Sequence, residues 1–189
     1  TLRLQEQEVK RMFGEDFVWG VASSAYQVEG TDAADGRGAC VWDMFAADGR
    51  VFEHQNADTS CDHMHHYKED IALMRHLGIR AYRFSLNWAR ILPEGTGRVN
   101  EKAIAMYRDM ILTMKENGIT PYLTLFHWEF PQALYERGGW QNPDVVQWFG
   151  EYAKVVAENF SDICEYFITI NEPQCVVGLG HLSGVHAPG

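Results

Sequence analysis

No apolar run in this sequence reaches the ~20 residues that a membrane-spanning helix needs, and the first eight residues, Thr1-Leu2-Arg3-Leu4-Gln5-Glu6-Gln7-Glu8, carry no apolar signal core. Cysteine is scarce as well. Cys40, Cys61, Cys164 and Cys175 show neither CxxC spacing nor the density of a disulfide-stapled module, which points to reduced thiols and a cytoplasmic location. None of the four has a sequence neighbour that would activate it as a nucleophile. Positive charge is in deficit: 16 Lys and Arg against 26 Asp and Glu leave a net −10, and the acids are scattered rather than run together. That balance argues against nucleic acid or an anionic membrane as partner and favours a neutral one.

What is present is enough apolar material for a core. At 189 residues and 46% hydrophobic content, one domain is expected, and no linker-like shift in composition or low-complexity stretch divides it. Strand-like apolar runs alternate with amphipathic ones. The first run is Phe17 to Ala22. The spacing of Tyr67, Ile71, Met74 and Leu77 predicts a helix near Asp62 to Leu77, closed by Gly78. Ile79 to Leu86 reads as the second strand. Asn100 caps a helix with Ile104, Tyr107, Ile111 and Met114 on one stripe, ended by Gly118, and Ile119 to Phe126 follows as the third strand. Pro143, or the residue before it, opens a third helix through Asn159, and Tyr166 to Ile170 makes a fourth, buried strand. Four βα units with right-handed crossovers give parallel strands covered by helices, as in half of a (β/α)8 barrel. The stretch from Ser23 to Cys61 is too long for an ordinary connection and is read as a functional loop.

In such a barrel the functional side chains gather at the C-terminal ends of the strands. Reading there gives Gln27 for the first strand, Arg83 for the second, His127-Trp128 for the third and Asn171-Glu172 for the fourth. A sugar needs amide and imidazole hydrogen-bonding groups for its hydroxyls and an aromatic wall for its C–H face; Gln27, His127, Asn171 and Trp128 supply that set. A glycosidic oxygen leaves poorly unless protonated, which Glu172 can do if burial raises its pKa, while Arg83 suits holding a neighbouring carboxylate ionised.

The resemblance then becomes specific. Val18-Trp19-Gly20-Val21-Ala22-Ser23-Ser24-Ala25-Tyr26-Gln27-Val28-Glu29-Gly30, Tyr67-Lys68-Glu69-Asp70-Ile71, Arg83-Phe84-Ser85, Arg90-Ile91-Leu92-Pro93-Glu94-Gly95, Phe126-His127-Trp128, Gly138-Gly139-Trp140, Asn171-Glu172-Pro173 and Gly184-Val185-His186-Ala187-Pro188-Gly189 fall in order and at family-like spacing. Together they resemble glycoside hydrolase family 1, the β-glucosidase family, from about Phe13 to the last residue. The resemblance implies a retaining β-glycosidase with Glu172 as general acid/base, Gln27, His127 and Asn171 bonding the glycone, Trp128 lining its pocket and Arg83 contacting the nucleophile. The nucleophile, a Glu at the family's seventh strand, and a Glu and Trp pair near the eighth are not in this chain. Residues 1–189 therefore read as the N-terminal half of one barrel domain, with a C-terminal half-barrel segment as partner and a β-glucoside or oligosaccharide as substrate. No cofactor and no metal are implied. Two departures stand out: the family usually has Asp where this chain has Glu129, and Cys61-Asp62-His63-Met64-His65-His66-Tyr67 differs from the commoner Asp-His-Tyr-His-Arg-Tyr pattern.

Plainer readings exist for each residue. Glu172 before Pro173 can be a turn element, Gln27 and His127 core polar groups, and Arg83 the partner of a structural acid. Trp88 and Trp140 read as ordinary core or loop aromatics. His63, His65 and His66, lacking a carboxylate or Cys at ligand spacing, read as helix surface, as does Lys68-Glu69-Asp70. A rival from another class is a non-catalytic half-barrel that binds sugar or assists assembly. A third reading keeps glycosidase chemistry but acts on xylans or other β-glycans. Glycone and aglycone preference are not encoded in this stretch.

Overall fold

Four short strands form one parallel sheet in the order in which they occur along the chain: β1 (Gly20–Ala22), β2 (Ala81–Ser85), β3 (Thr120–Phe126) and β4 (Tyr166–Ile170). The computed structural model describes residues 12–31 and 35–189. The helices are α1 (Ala25–Val28), α2 (Val41–Ala47), α3 (His63–His76), α4 (Trp88–Ile91), α5 (Glu101–Glu116), α6 (Gln132–Tyr135), α7 (Val145–Phe160) and α8 (Pro173–Cys175). Short 3₁₀ turns lie at Phe52–His54 and Gly139–Gln141, and a π-helical segment at Val176–Leu182. Parallel neighbours cannot be joined by hairpins, so each pair is connected by a helical crossover carrying α3, α5 or α7.

Strand register decides which side chains share a face. Arg83 pairs with Tyr122 and Tyr122 with Tyr166; Ser85 pairs with Thr124 and Thr124 with Ile168. By the two-residue period these rows lie on one face, while Tyr82, Phe84, Leu123 and Leu125 point the other way, into the cluster with Ile104, Tyr107, Ile111 and Met114 of α5. The α5 stripe is therefore buried as its spacing predicts. Trp88, fully buried, stacks on Tyr152 of α7 at 4.7 Å, and the Tyr152 hydroxyl donates to the Leu125 carbonyl at 2.8 Å, fixing α7 to β3.

Several expectations shift. The first strand starts at Gly20, not Phe17; the exposed rings of Phe17 and Trp19 pack on each other and on Phe13, with centroids 4.7–5.2 Å apart. The fourth strand has the expected bounds but is not buried: Tyr166 is 45% and Phe167 39% exposed, because β4 is a sheet edge. Leu77 lies outside its helix and is 66% exposed. The Asn100 side chain does not cap α5; its amide donates to the carbonyls of Asp35 and Arg90, at 2.9 and 3.0 Å. The helix read from Pro143 starts at Val145. His65 and His66 are on the surface, but His63 is buried, with its ring bonded to Asp70 at 2.6 Å and edge-on to Tyr82. Asp70 is thereby partly withdrawn from the solvated face assigned to Lys68-Glu69-Asp70.

Candidate active site

The end of β4 turns sharply because Glu172 adopts left-handed backbone geometry, φ 43°, directly after buried Asn171. The end of β3 does the same at Trp128, φ 84°. Such a conformation costs an L-residue on the order of 1–2 kcal/mol and tends to persist where the surroundings over-determine it. Here they do. The Asn171 amide N–H donates to the Phe126 carbonyl at 2.9 Å, and the Trp128 indole N–H donates to the Asn171 carbonyl at 3.0 Å, so the two strand ends are laced together through backbone groups.

Asn171 is the hub. Its Oδ1 accepts from Arg83 Nη2 at 2.6 Å, while its Nδ2 lies 3.1 Å from His127 Nε2 and 3.4 Å from Glu172 Oε2. A guanidinium has donors only, so Arg83 fixes which end of the Asn171 amide is oxygen. The amide nitrogen then faces His127 Nε2, which must accept, placing the imidazole proton on Nδ1. That Nδ1 is buried with no partner among the described residues. Burial, then the nearby Arg83 charge, lower the His127 pKa to about 4 against the opposing pull of Glu172, so the ring is neutral at physiological pH. Arg83 also donates through Nε to Thr124 Oγ1 at 3.0 Å. No carboxylate of the described residues lies within 4.0 Å of it, so the structural-acid reading of Arg83 finds no acid. Its position also differs from the strand-end reading: it is the third of five residues in β2 and reaches the site from inside the sheet.

Gln27, on α1, is exposed, not a buried core amide. It lines a cleft of about 280 Å³ with His127, Trp128, Tyr26, Trp42 and Asn56. Glu172 and Asn171 are not part of that cleft's lining; His127 bridges the two groups, facing the cleft while bonded to Asn171. Arg83, His127, Asn171 and Glu172 thus form one hydrogen-bonded unit, and Gln27, His127 and Trp128 one wall. Among the described residues no group of three or more His, Cys, Asp or Glu is arranged to hold a metal ion.

Reading by strand ends missed three things. Aromatic rings continue the wall: Tyr26 to Trp42, Trp42 to His186 and His186 to Trp128 are spaced at 5.9, 5.5 and 5.5 Å between centroids. The sequence hint was that Tyr26 and His186 sit inside the family-like segments 18–30 and 184–189. A buried ion pair, Arg90 with Glu29 at 3.2 Å, ties the segment after α1 to α4, and Tyr107 donates to the same carboxylate at 2.7 Å. Glu129, 1% exposed, sits behind the wall with no cation within ion-pair range among the described residues; burial pushes its carboxyl up to about 8.

The family model for glycosyl hydrolase family 1 matches residues 9–189. The chain belongs to this family. Among family 1 relatives, β-glucosidase A of Thermotoga maritima is 49% identical over 180 residues, covering 95% of this chain and 40% of that protein. Beta-glucosidase 42 of Arabidopsis thaliana is 46% identical over 94% of the chain and 37% of its own length. Solved structures of the Thermotoga maritima β-glucosidase, in complex with castanospermine and with deoxynojirimycin, superimpose with a TM-score of 0.90 at 50% identity over 93% of this chain and 40% of theirs. The chain spans about 40% of the length of these bacterial relatives. Its four-stranded parallel sheet is the N-terminal portion of the family 1 (β/α)8 barrel. Among the described residues no helix is long and apolar enough to cross a membrane.

Proposed function

We propose that this chain supplies the acid/base half of a retaining β-glycosidase acting on terminal β-linked glucose or a related sugar. Residues 1–189 would form one barrel domain with a segment carrying strands five to eight, on this polypeptide or another. The observation that carries this reading is the hydrogen-bonded unit at the strand ends: a strand-end carboxylate, Glu172, held beside an amide whose orientation a cation fixes, backing onto a wall of Gln27, His127 and Trp128. In this reading Glu172 protonates the leaving oxygen as the nucleophile Glu of the complementary segment bonds to C1 and the C1–O bond breaks. Glu172 then takes a proton from water, which attacks C1 as the bond from C1 to the nucleophile carboxylate breaks, freeing that carboxylate and releasing the sugar with its configuration retained; this needs the two carboxyls about 5–5.5 Å apart.

Arg83, half-buried with no acid of the described residues in ion-pair range, is suited to contact that nucleophile and hold it ionised. Asn171 and the neutral His127 offer hydrogen bonds to glycone hydroxyls, and the Trp128 ring, its N–H already engaged, offers its face. Four free cysteines support the cytoplasmic assignment.

The test is reconstitution. The chain is expressed with the C-terminal segment of the Thermotoga maritima relative and assayed on an aryl β-glucoside, with NMR detection of the first-formed anomer. β-Glucose should appear first. Glu172→Gln should lower kcat by about 10²–10⁴-fold, most with poor leaving groups, and azide should restore release from a substrate with a good leaving group because it needs no general base. Retained turnover in the Gln variant, or inverted product, refutes the assignment.

A further inference from the structure

Helix α1 carries Gln27 but lacks a cap of its own: the Ser24 side chain makes no capping hydrogen bond. The amides of its first two residues are satisfied from elsewhere in the chain, while the Gln27 amide donates to the adjacent Ser24 carbonyl at 3.1 Å. Ala25 N–H donates to Ser85 Oγ at 2.8 Å, and Tyr26 N–H donates to Glu129 Oε1 at 3.2 Å. Ser85 Oγ lies 3.4 Å from the same Glu129 oxygen, closing a small network between the ends of β1, β2 and β3. The two side chains that make these bonds, Ser85 and Glu129, are buried, which strengthens the network.

We propose that Glu129 is a positioning residue that caps α1 from the neighbouring strand and so sets Gln27 in register with His127 and Trp128. The direct route is short. Glu129 follows Trp128, whose left-handed backbone geometry turns the next side chain inward, away from the cleft that Trp128 and Gln27 line. One carboxyl oxygen receives the α1 amide while the main chain on its N-terminal side carries the aromatic and imidazole wall. The reach from β3 to α1 has to span β2, with Ser85 in between. This gives a physical role to a Glu where the resemblance leads one to expect the shorter Asp. It rests on the functional reading only in taking Gln27 as a sugar ligand.

The reconstituted complex tests it with two independent readouts. The first is amide hydrogen exchange across Ala25–Val28. Glu129→Leu, which removes the acceptor without adding charge, should speed exchange at Tyr26 by about tenfold or more, whereas Glu129→Gln, which keeps the oxygen, should hold it within about threefold. The second is affinity for deoxynojirimycin. Glu129→Leu should weaken it about tenfold in the presence of Gln27 and have no further effect in a Gln27→Ala background, a coupling that general destabilisation does not produce. Unchanged exchange in the Leu variant, or additive losses in the double variant, overturns the proposal. If the unsubstituted complex neither binds the iminosugar nor turns over the glucoside, the functional reading fails, and the exchange measurement still decides whether Glu129 caps α1.

Discussion

At the scale of single residues, the polarity of the site descends from Arg83. Because a guanidinium only donates, the Asn171 amide and then the His127 tautomer follow in sequence, with no choice left at either step. Asn171→Asp tests this: a carboxylate beside Arg83 keeps that bond but has no N–H for His127 Nε2. Losing the N–H that orients His127 should cut kcat/KM on an aryl glucoside by about 10²-fold in the reconstituted complex, with no gross change in stability. A loss of less than threefold would show that His127 is not oriented through Asn171. The pH behaviour has a definite sign. The folded His127 pKa is about 4 and the ordinary value 6.5, so between those limits the unfolded chain binds the proton and the folded one does not. Stability attributable to His127 is therefore full above about 6.5 and declines as pH falls toward 4. Imidazole NMR shifts should stay those of the neutral ring down to about pH 5, and His127→Gln should flatten that part of the stability profile.

At the scale of elements, the long segment from Ser23 to Cys61 is held from beneath, not merely draped over the strand ends. Arg90, fully buried, pairs with Glu29 at 3.2 Å, donates to the Gly30 carbonyl at 2.9 Å and contacts Asp35. Arg90→Met should cost about 3–5 kcal/mol, because it strands the Glu29 carboxylate without its cation, and adding Glu29→Gln should recover part of the loss; urea unfolding of the reconstituted complex measures both. These ties also explain what could be read from the sequence. Strands β2, β3 and β4 and helices α3, α5 and α7 were legible within a few residues, since their packing repeats along the chain with a period of two or near 3.6. The joint tenancy of Ala25 and Tyr26 amides by Ser85 and Glu129 was not, because 60 and 103 residues separate the partners and no periodicity links them. Likewise Asn100 looked like a cap and its side chain is a strut: its amide donates to the carbonyls of both Asp35 and Arg90, partners 65 and 10 residues away that no local pattern reveals. Glu172, Asn171, His127, Trp128 and Gln27 were legible as candidates because strand ends are legible; Arg83 was named by the same route although it lies mid-strand and joins the others through Asn171.

At the scale of the whole molecule, the sheet ends on both sides. Among the described residues β1 and β4 each have one unpaired ladder edge, and exposed Val18, Trp19, Val21, Tyr166 and Phe167 lie on or beside these two strands. Such edges associate readily with other strands. The purified chain alone should therefore self-associate or aggregate, while coexpression with a strand-five-to-eight segment should give a one-to-one complex in a native mass spectrum; a stable, monodisperse monomer would show that the open sheet needs no cover. The edge of β4 has a further consequence, for stereochemistry. A strand advances ~3.3 Å per residue, and the carboxyl separations that favour retention and inversion differ by only about 1–4 Å. Because side chains alternate faces, only an even slip keeps the complement's carboxylate turned inward, and seated two residues out of step along β4 it would be displaced by about 6.6 Å, outside the separation that retention requires. The row of backbone amides and carbonyls on that edge is thus a length gauge, and the handedness of the released sugar reports how well it was read.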